Sequence, residues 1–180
     1  MSTTICIPEL TMWNESYCNR WPSMQPFEEL LLVRLPLHRL RIDLIDNYLN
    51  YWYFWLKWQG PTYCTQEILA RNNLNLGSDI GVFEIHEAFA GQLLSNLVAM
   101  NSQSFADKSF GGKKVGEVDM SKLNTKGGSL ALGHPFGATG SRLVTTASRR
   151  LQTEGQRFAI GAACADGGLG HAFLLERYNN

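Results

Sequence analysis

No glycine occurs before Gly60, and no tryptophan after Trp58. All 17 glycines and all five tryptophans are therefore separated by a single point in the chain. One folded unit normally mixes the two, so the sequence reads as two unlike segments. Charge of one sign is also lacking. Lys plus Arg and Asp plus Glu both number 16, for a net charge of zero. That removes bulk electrostatics as a reason to bind nucleic acid. Long apolar runs are missing too. The uncharged stretch Asn47–Leu56 is about half the roughly 20 residues that a membrane span needs. The four cysteines, Cys6, Cys18, Cys64 and Cys164, form no C-x-x-C pair, and His38, His86, His134 and His171 show no zinc spacing. No metal site is expected, and Cys164 is read as free in a reducing compartment. No phosphate-binding G-x-x-x-x-G-K-[ST] loop is present, and no G-x-G-x-x-G follows a strand. The first residues show neither a secretory signal nor an arginine-rich transit peptide.

The 180 residues suffice for one sizeable domain, and the 44% hydrophobic content suits a globular core. Residues 1–58 have no clean period. Leu30 to Ile45 is apolar but broken by Arg34, Pro36, Arg39 and Arg41. Tyr51 to Trp58 is aromatic on every face, a buried strand or a sticky helix that periodicity does not separate. This segment is expected to be an unassigned, non-native extension, from an alternative exon or a misassembled coding region. A partner-binding segment is the other reading.

Residues 59–180 are regular. Thr62 to Asn73 reads as a helix with Pro61 near its start. Gly81 to Ile85 reads as a short strand, central in a sheet. Ala88 to Met100 places Phe89, Leu93, Leu94, Leu97 and Met100 on one helical face. A polar loop with Gly111, Gly112 and Gly116 follows. Its Lys108, Lys113 and Lys114 read as a solvated face. Ala138 to Leu151 is a helix with Leu143, Val144, Ala147 and Leu151 inward, stopped at Gly155. Strands at 157–163 and 171–176 close the chain. The alternation predicts an α/β layered sheet with helices on its faces.

The run from Asn124 to Gly140 carries the chemistry. His134 sits in a bend among Gly127, Gly128, Gly133, Gly137 and Gly140. Thirty residues on, Cys164 lies in Gly161-Ala-Ala-Cys164-Ala-Asp166-Gly167-Gly168. An imidazole and a thiol on small-residue backbone suit acid–base work on a thioester that must approach closely. Taken singly, His134 reads equally as a loop histidine beside a helix, Cys164 and Cys64 as packing residues, and His86 and His171 as structural.

Four stretches together identify a family. They are Gly60-Pro-Thr-Tyr63, Phe83-Glu-Ile-His86-Glu87-Ala-Phe89, Gly127 to Gly140, and Ala162-Ala-Cys164 with Gly167-Gly168 behind it. From Gly60 to Tyr178 the chain resembles the C-terminal half of a thiolase. His86, where most thiolases have Asn, and the Glu-Ala-Phe after it point to the trifunctional branch of the family. The resemblance implies a mixed five-stranded sheet with helices on both faces. It implies acyl transfer between 3-ketoacyl-CoA and CoA in fatty-acid β-oxidation, with coenzyme A as co-substrate and no bound cofactor. It also implies a mitochondrial location, a thiolase dimer, a trifunctional α-subunit partner, and membrane association by family analogy alone.

In the family, a nucleophilic cysteine attacks the 3-keto carbon and the residue matching His134 takes its proton. The residue matching Cys164 protonates the departing acetyl-CoA enolate and then activates CoA. His134 and a water held by His86 supply hydrogen bonds to the enolate oxygen. Gly133, Gly137 and Gly167 shape the substrate loop. Two departures stand out. Cys6, Cys18 and Cys64 lie in no context that matches the nucleophile, which belongs to the N-terminal half. Asp166 replaces a small residue, and a carboxylate there disfavours both an enolate and a Cys164 thiolate. A catalytically inactive fragment that binds an intact thiolase subunit is the alternative expectation.

Overall fold

A computed structural model describes residues 40–48, 59–165 and 168–177, the first of these as backbone. The remainder of residues 1–58, the aromatic run included, lies outside the described residues, as do Asp166, Gly167 and residues 178–180. The described chain forms an α/β sandwich. In chain order, its elements are β1 (Leu40–Tyr48), α1 (Gly60–Asn72), α2 (Leu76–Asp79), β2 (Ile80–Ile85), α3 (Ala90–Asn101), α4 (Gln103–Ser109), a 3₁₀ turn (Met120–Lys122), α5 (Ser129–Leu132), α6 (Phe136–Thr153), β3 (Phe158–Ala165) and β4 (Leu169–Arg177).

The sheet is mixed, in the order β1-β4-β3-β2. Strands β2 and β3 are parallel, while β3–β4 and β1–β4 are antiparallel. Four strands are thus described where five were expected. β1 runs from Leu40 opposite Arg177 to Tyr48 opposite Leu169, so backbone pairing reaches into the segment read as an extension.

Helices cover both faces. On one, Cys64, Ile68 and Leu69 of α1 and Met100 of α3 pack on Ile80, Phe83, Ile160, Ala162, Ala172 and Leu174. On the other, Leu143, Ala147 and Leu151 of α6 pack on Val82, Ala159, Phe173 and Leu175. Each fully buried aliphatic side chain contributes roughly 1.5–3 kcal/mol. On this second face Gly161 lies flush against the Phe173 ring, where an added Cβ meets the ring at 2.0 Å. At the other end of β4, Gly60 and Gly170 touch backbone to backbone. A Cβ on Gly60 lies 2.5 Å from the Leu169 carbonyl oxygen, and one on Gly170 lies 2.5 Å from the Gly60 carbonyl carbon.

Three expectations change. First, β2 is the edge strand of the described sheet, yet all six of its residues are buried. The segment after the 3₁₀ turn covers that edge. Leu123 bridges Phe83 in parallel, and Asn124 N–H donates to the Phe83 carbonyl at 2.9 Å. Second, the buried side of α3 is Gln92, Leu93, Asn96, Ala99 and Met100, while Phe89 and Leu94 are exposed. A polar residue belongs there because Asn96 Oδ1 accepts from the Thr62 N–H (3.1 Å) and hydroxyl (2.8 Å), tying α3 to α1. Third, the expected polar loop contains α4. Ser102 Oγ caps it by accepting from Phe105 N–H, and Phe105 and Phe110 pack edge-on against Tyr63. Lys108, Lys113 and Lys114 are exposed around it.

Candidate active site

The site forms where the parallel strands β2 and β3 end. His86 follows β2 directly, and its backbone N–H donates to the Ala162 carbonyl at 2.8 Å. Cys164 is two residues beyond Ala162, on the same face of β3, opposite Gly170. His134 comes from the bend between α5 and α6. Its ring centroid lies 4.2 Å from that of His86, with the planes tilted by 41°. The sequence-predicted histidines therefore meet, although 48 positions separate them in the chain. Phe136 lies on the outer side of His134, with ring centroids 5.1 Å apart.

The two imidazoles differ in environment. His86 is buried, whereas His134 is exposed. Burial pushes the His86 pKa down to about 4, helped by His134 and Arg142 and opposed by Glu87. His86 is therefore neutral at physiological pH. Its Nδ1 is 2.7 Å from Ser129 Oγ, which in turn accepts from Arg142 Nη2 at 2.8 Å. His134 Nδ1 is 2.6 Å from Thr139 Oγ1, on the first turns of α6. Cys164 is half-buried. Burial raises its pKa, partly countered by its own backbone N–H. The thiol is protonated at neutral pH, the form an acid requires.

A frame of residues to which the sequence reading gave no role holds these groups. Asn124, at φ +47°, uses its side-chain amide as a strand would use its peptide. Oδ1 accepts from Ile85 N–H at 2.9 Å, and Nδ2 donates to the Ile85 carbonyl at 2.8 Å. Nδ2 also donates to Glu87 Oε1 at 2.7 Å, and Leu130 N–H donates to Glu87 Oε2 at 3.1 Å. Glu87 thus fastens α5 to the end of β2. Gly128 leaves room for it, since a Cβ there meets the carboxylate at 2.0 Å. The sequence signal was a buried-strand end followed by an acid, facing a glycine pair remote in sequence.

The candidate substrate glycines divide. Gly133 has φ +99°, a conformation side chains resist, and its N–H donates to the Ser129 carbonyl at 2.9 Å. That N–H is spent on capping α5, so Gly133 shapes the bend. Gly137 lies in the first turn of α6, where an added Cβ meets nothing within 4 Å. Gly167 and Asp166 lie outside the described residues. No cluster of potential metal ligands occurs among the described residues, and no described helix is long and apolar enough to cross a membrane.

Residues 56–177 match the family model of the thiolase C-terminal domain. The chain belongs to the thiolase family. It is 54% identical over 120 residues to the mitochondrial trifunctional enzyme subunit β of Bos taurus, covering 66% of this chain and 25% of that protein. It is 48% identical over 118 residues to a 3-ketoacyl-CoA thiolase of Photobacterium profundum, covering 65% and 27%. Human mitochondrial 3-ketoacyl-CoA thiolase, solved in complex with CoA, superposes with a TM-score of 0.61 at 29% identity, over 78% of this chain and 31% of that one. The chain thus spans about a quarter of the length of these curated thiolase relatives.

Proposed function

We propose that this thiolase domain supplies the C-terminal half of an acyltransferase site that cleaves 3-ketoacyl-CoA with CoA in fatty-acid β-oxidation. The observation that carries the reading is the pairing of His86 with His134 beside the strand end that bears Cys164. Exposed His134 takes the proton of a nucleophilic thiol presented by an N-terminal thiolase half. Cys164, held as a thiol, protonates the enolate of the departing acetyl-CoA. His86, neutral and buried, positions a water against the enolate oxygen. Gly133, Gly137 and Gly167 are the proposed substrate-side glycines. The names of the relatives support coenzyme A as co-substrate, a mitochondrial location and a trifunctional α subunit as partner. The family match from residue 56 supports a thiolase region that begins near residue 58, with β1 added to its sheet from the preceding segment.

The test is complementation. The full chain is mixed with the separately produced N-terminal half of a trifunctional-branch thiolase, and loss of long-chain 3-ketoacyl-CoA absorbance is followed. Turnover that needs both pieces and vanishes with His134→Ala supports the proposal. Turnover by the chain alone, or survival of His134→Ala, sinks the division of roles.

A second reading is favoured by one feature. Phe89, Leu94, Val98, Leu130, Leu132 and Phe136 are large, apolar and more than half exposed. Such a surface suits an inactive domain that docks on an intact thiolase subunit. Co-elution with an intact subunit, without added turnover, distinguishes it.

A further inference from the structure

We infer that the two neighbouring imidazoles are locked in opposite tautomers, His86 as an Nε2–H donor by Arg142 and Ser129, and His134 as an Nε2 acceptor by Thr139. The catalytic meaning of this rests on the thiolase reading above; the tautomers themselves do not.

The donors and acceptors around each ring set its tautomer. A guanidinium only donates, so Arg142 Nη2 at 2.8 Å makes Ser129 Oγ an acceptor in that contact. The hydroxyl has one proton of its own to give, and among the described residues its one available acceptor is His86 Nδ1, 2.7 Å away. Ser129 O–H therefore donates to Nδ1, and a neutral His86 carries its proton on Nε2. Protonating Nδ1 as well breaks this bond, beside Arg142 from α6 and His134 from the bend. Of the charged groups facing the ring, only Glu87 favours the imidazolium. At His134 the donor and acceptor are reversed. Thr139 Oγ1 gives its proton to the Pro135 carbonyl, 3.2 Å away and four residues back. Its 2.6 Å contact with His134 Nδ1 is then one in which Nδ1–H donates. The lone pair of His134 is left on Nε2.

The pair is complementary. His86 Nε2–H is a fixed donor for a water or an anionic oxygen, and His134 Nε2 is a fixed base. When a thiol gives its proton to His134 Nε2, the S–H electron pair stays on sulfur. His134 becomes an imidazolium, and neutral His86 adds no second charge to the neighbouring ring. Ser129, Arg142 and Thr139 are positioning residues in this scheme, acting through the two rings.

The experiment is long-range ¹H–¹⁵N correlation of the ¹⁵N-histidine-labelled full chain at neutral pH. The expected spectrum shows His86 with bare Nδ1 and protonated Nε2, and His134 with the converse. Ser129→Ala abolishes the His86 preference and Ser129→Thr retains it; Thr139→Val abolishes that of His134 and Thr139→Ser retains it. The His171 signal reports whether each variant remains folded. A wild-type spectrum with both rings in one tautomer, or with each reversed, overturns the inference whether or not any variant folds. Failed complementation with these tautomers intact overturns the proposed function instead.

Discussion

Arg150 on α6 and Glu84 on β2 form an ion pair at 2.8 Å in which both side chains are almost wholly shielded from water. Arg150 also donates to the carbonyls of Phe83 (3.2 Å) and Lys122 (2.9 Å) and to Glu154 (2.8 Å). One guanidinium thereby joins the helix, the edge strand and the segment that carries Asn124. Removing it strands a buried carboxylate. Arg150→Ala is expected to cost about 3–5 kcal/mol in urea denaturation, and adding Glu84→Leu to restore part of that. A loss below about 1 kcal/mol contradicts the account.

Acid should weaken the fold through His86. Its folded pKa, about 4, lies below the ordinary 6.5, so the unfolded chain takes up the proton first. The contribution is whole above pH 6.5, declines as pH falls, and is exhausted below about 4. At 1.36 kcal/mol per unit it is at most roughly 3 kcal/mol. Subtracting the stability–pH curve of His86→Asn isolates it. Glu84, pushed up by burial, titrates with the opposite sign but cancels in that difference. Parallel curves for the two proteins refute the assignment.

The raised pKa of Cys164 predicts sluggish alkylation. Peptide mapping after iodoacetamide treatment at pH 8 should show Cys164 reacting several-fold more slowly than glutathione, with the gap closing as pH rises. Rapid labelling at pH 7 means that the thiol is activated, and is inconsistent with its role as a resting acid.

Two glycines make a contrasting pair. Gly161→Ala drives a methyl into the Phe173 ring and should destabilise by about 1–3 kcal/mol or more. Gly140→Ala, in α6 with nothing within 4 Å of the new methyl, should stabilise by about 0.5–1 kcal/mol. Thermal melts of both variants check the signs.

Much of this was readable in the chain. The helix expected over 62–73 is α1 at Gly60–Asn72, and the strand over 81–85 is β2 at Ile80–Ile85. Of the inward set of α6, Leu143, Ala147 and Leu151 are buried as spaced, and Val144 is partly buried. The motif around His134 pointed to the imidazole that meets His86, because glycines at bends leave a local signature. What stayed hidden depends on partners distant in sequence. Asn96 and Gln92 look like a solvent face until Thr62 is placed opposite Asn96. Arg142 and Arg150 look like surface charges until β2 and α5 are brought beneath them. Asn124 is a turn residue by composition, and its service as a strand substitute exists only in three dimensions.

The contact between Gly60 and Gly170 acts as a transmission. Two bare backbones meet there with no side chain to yield, so any added atom must displace α1 or β4 as a body. Gly170 is also the residue that faces Cys164 across the sheet. A change at the buried first residue of α1, far from either histidine in the chain, is thereby geared to the position of the thiol.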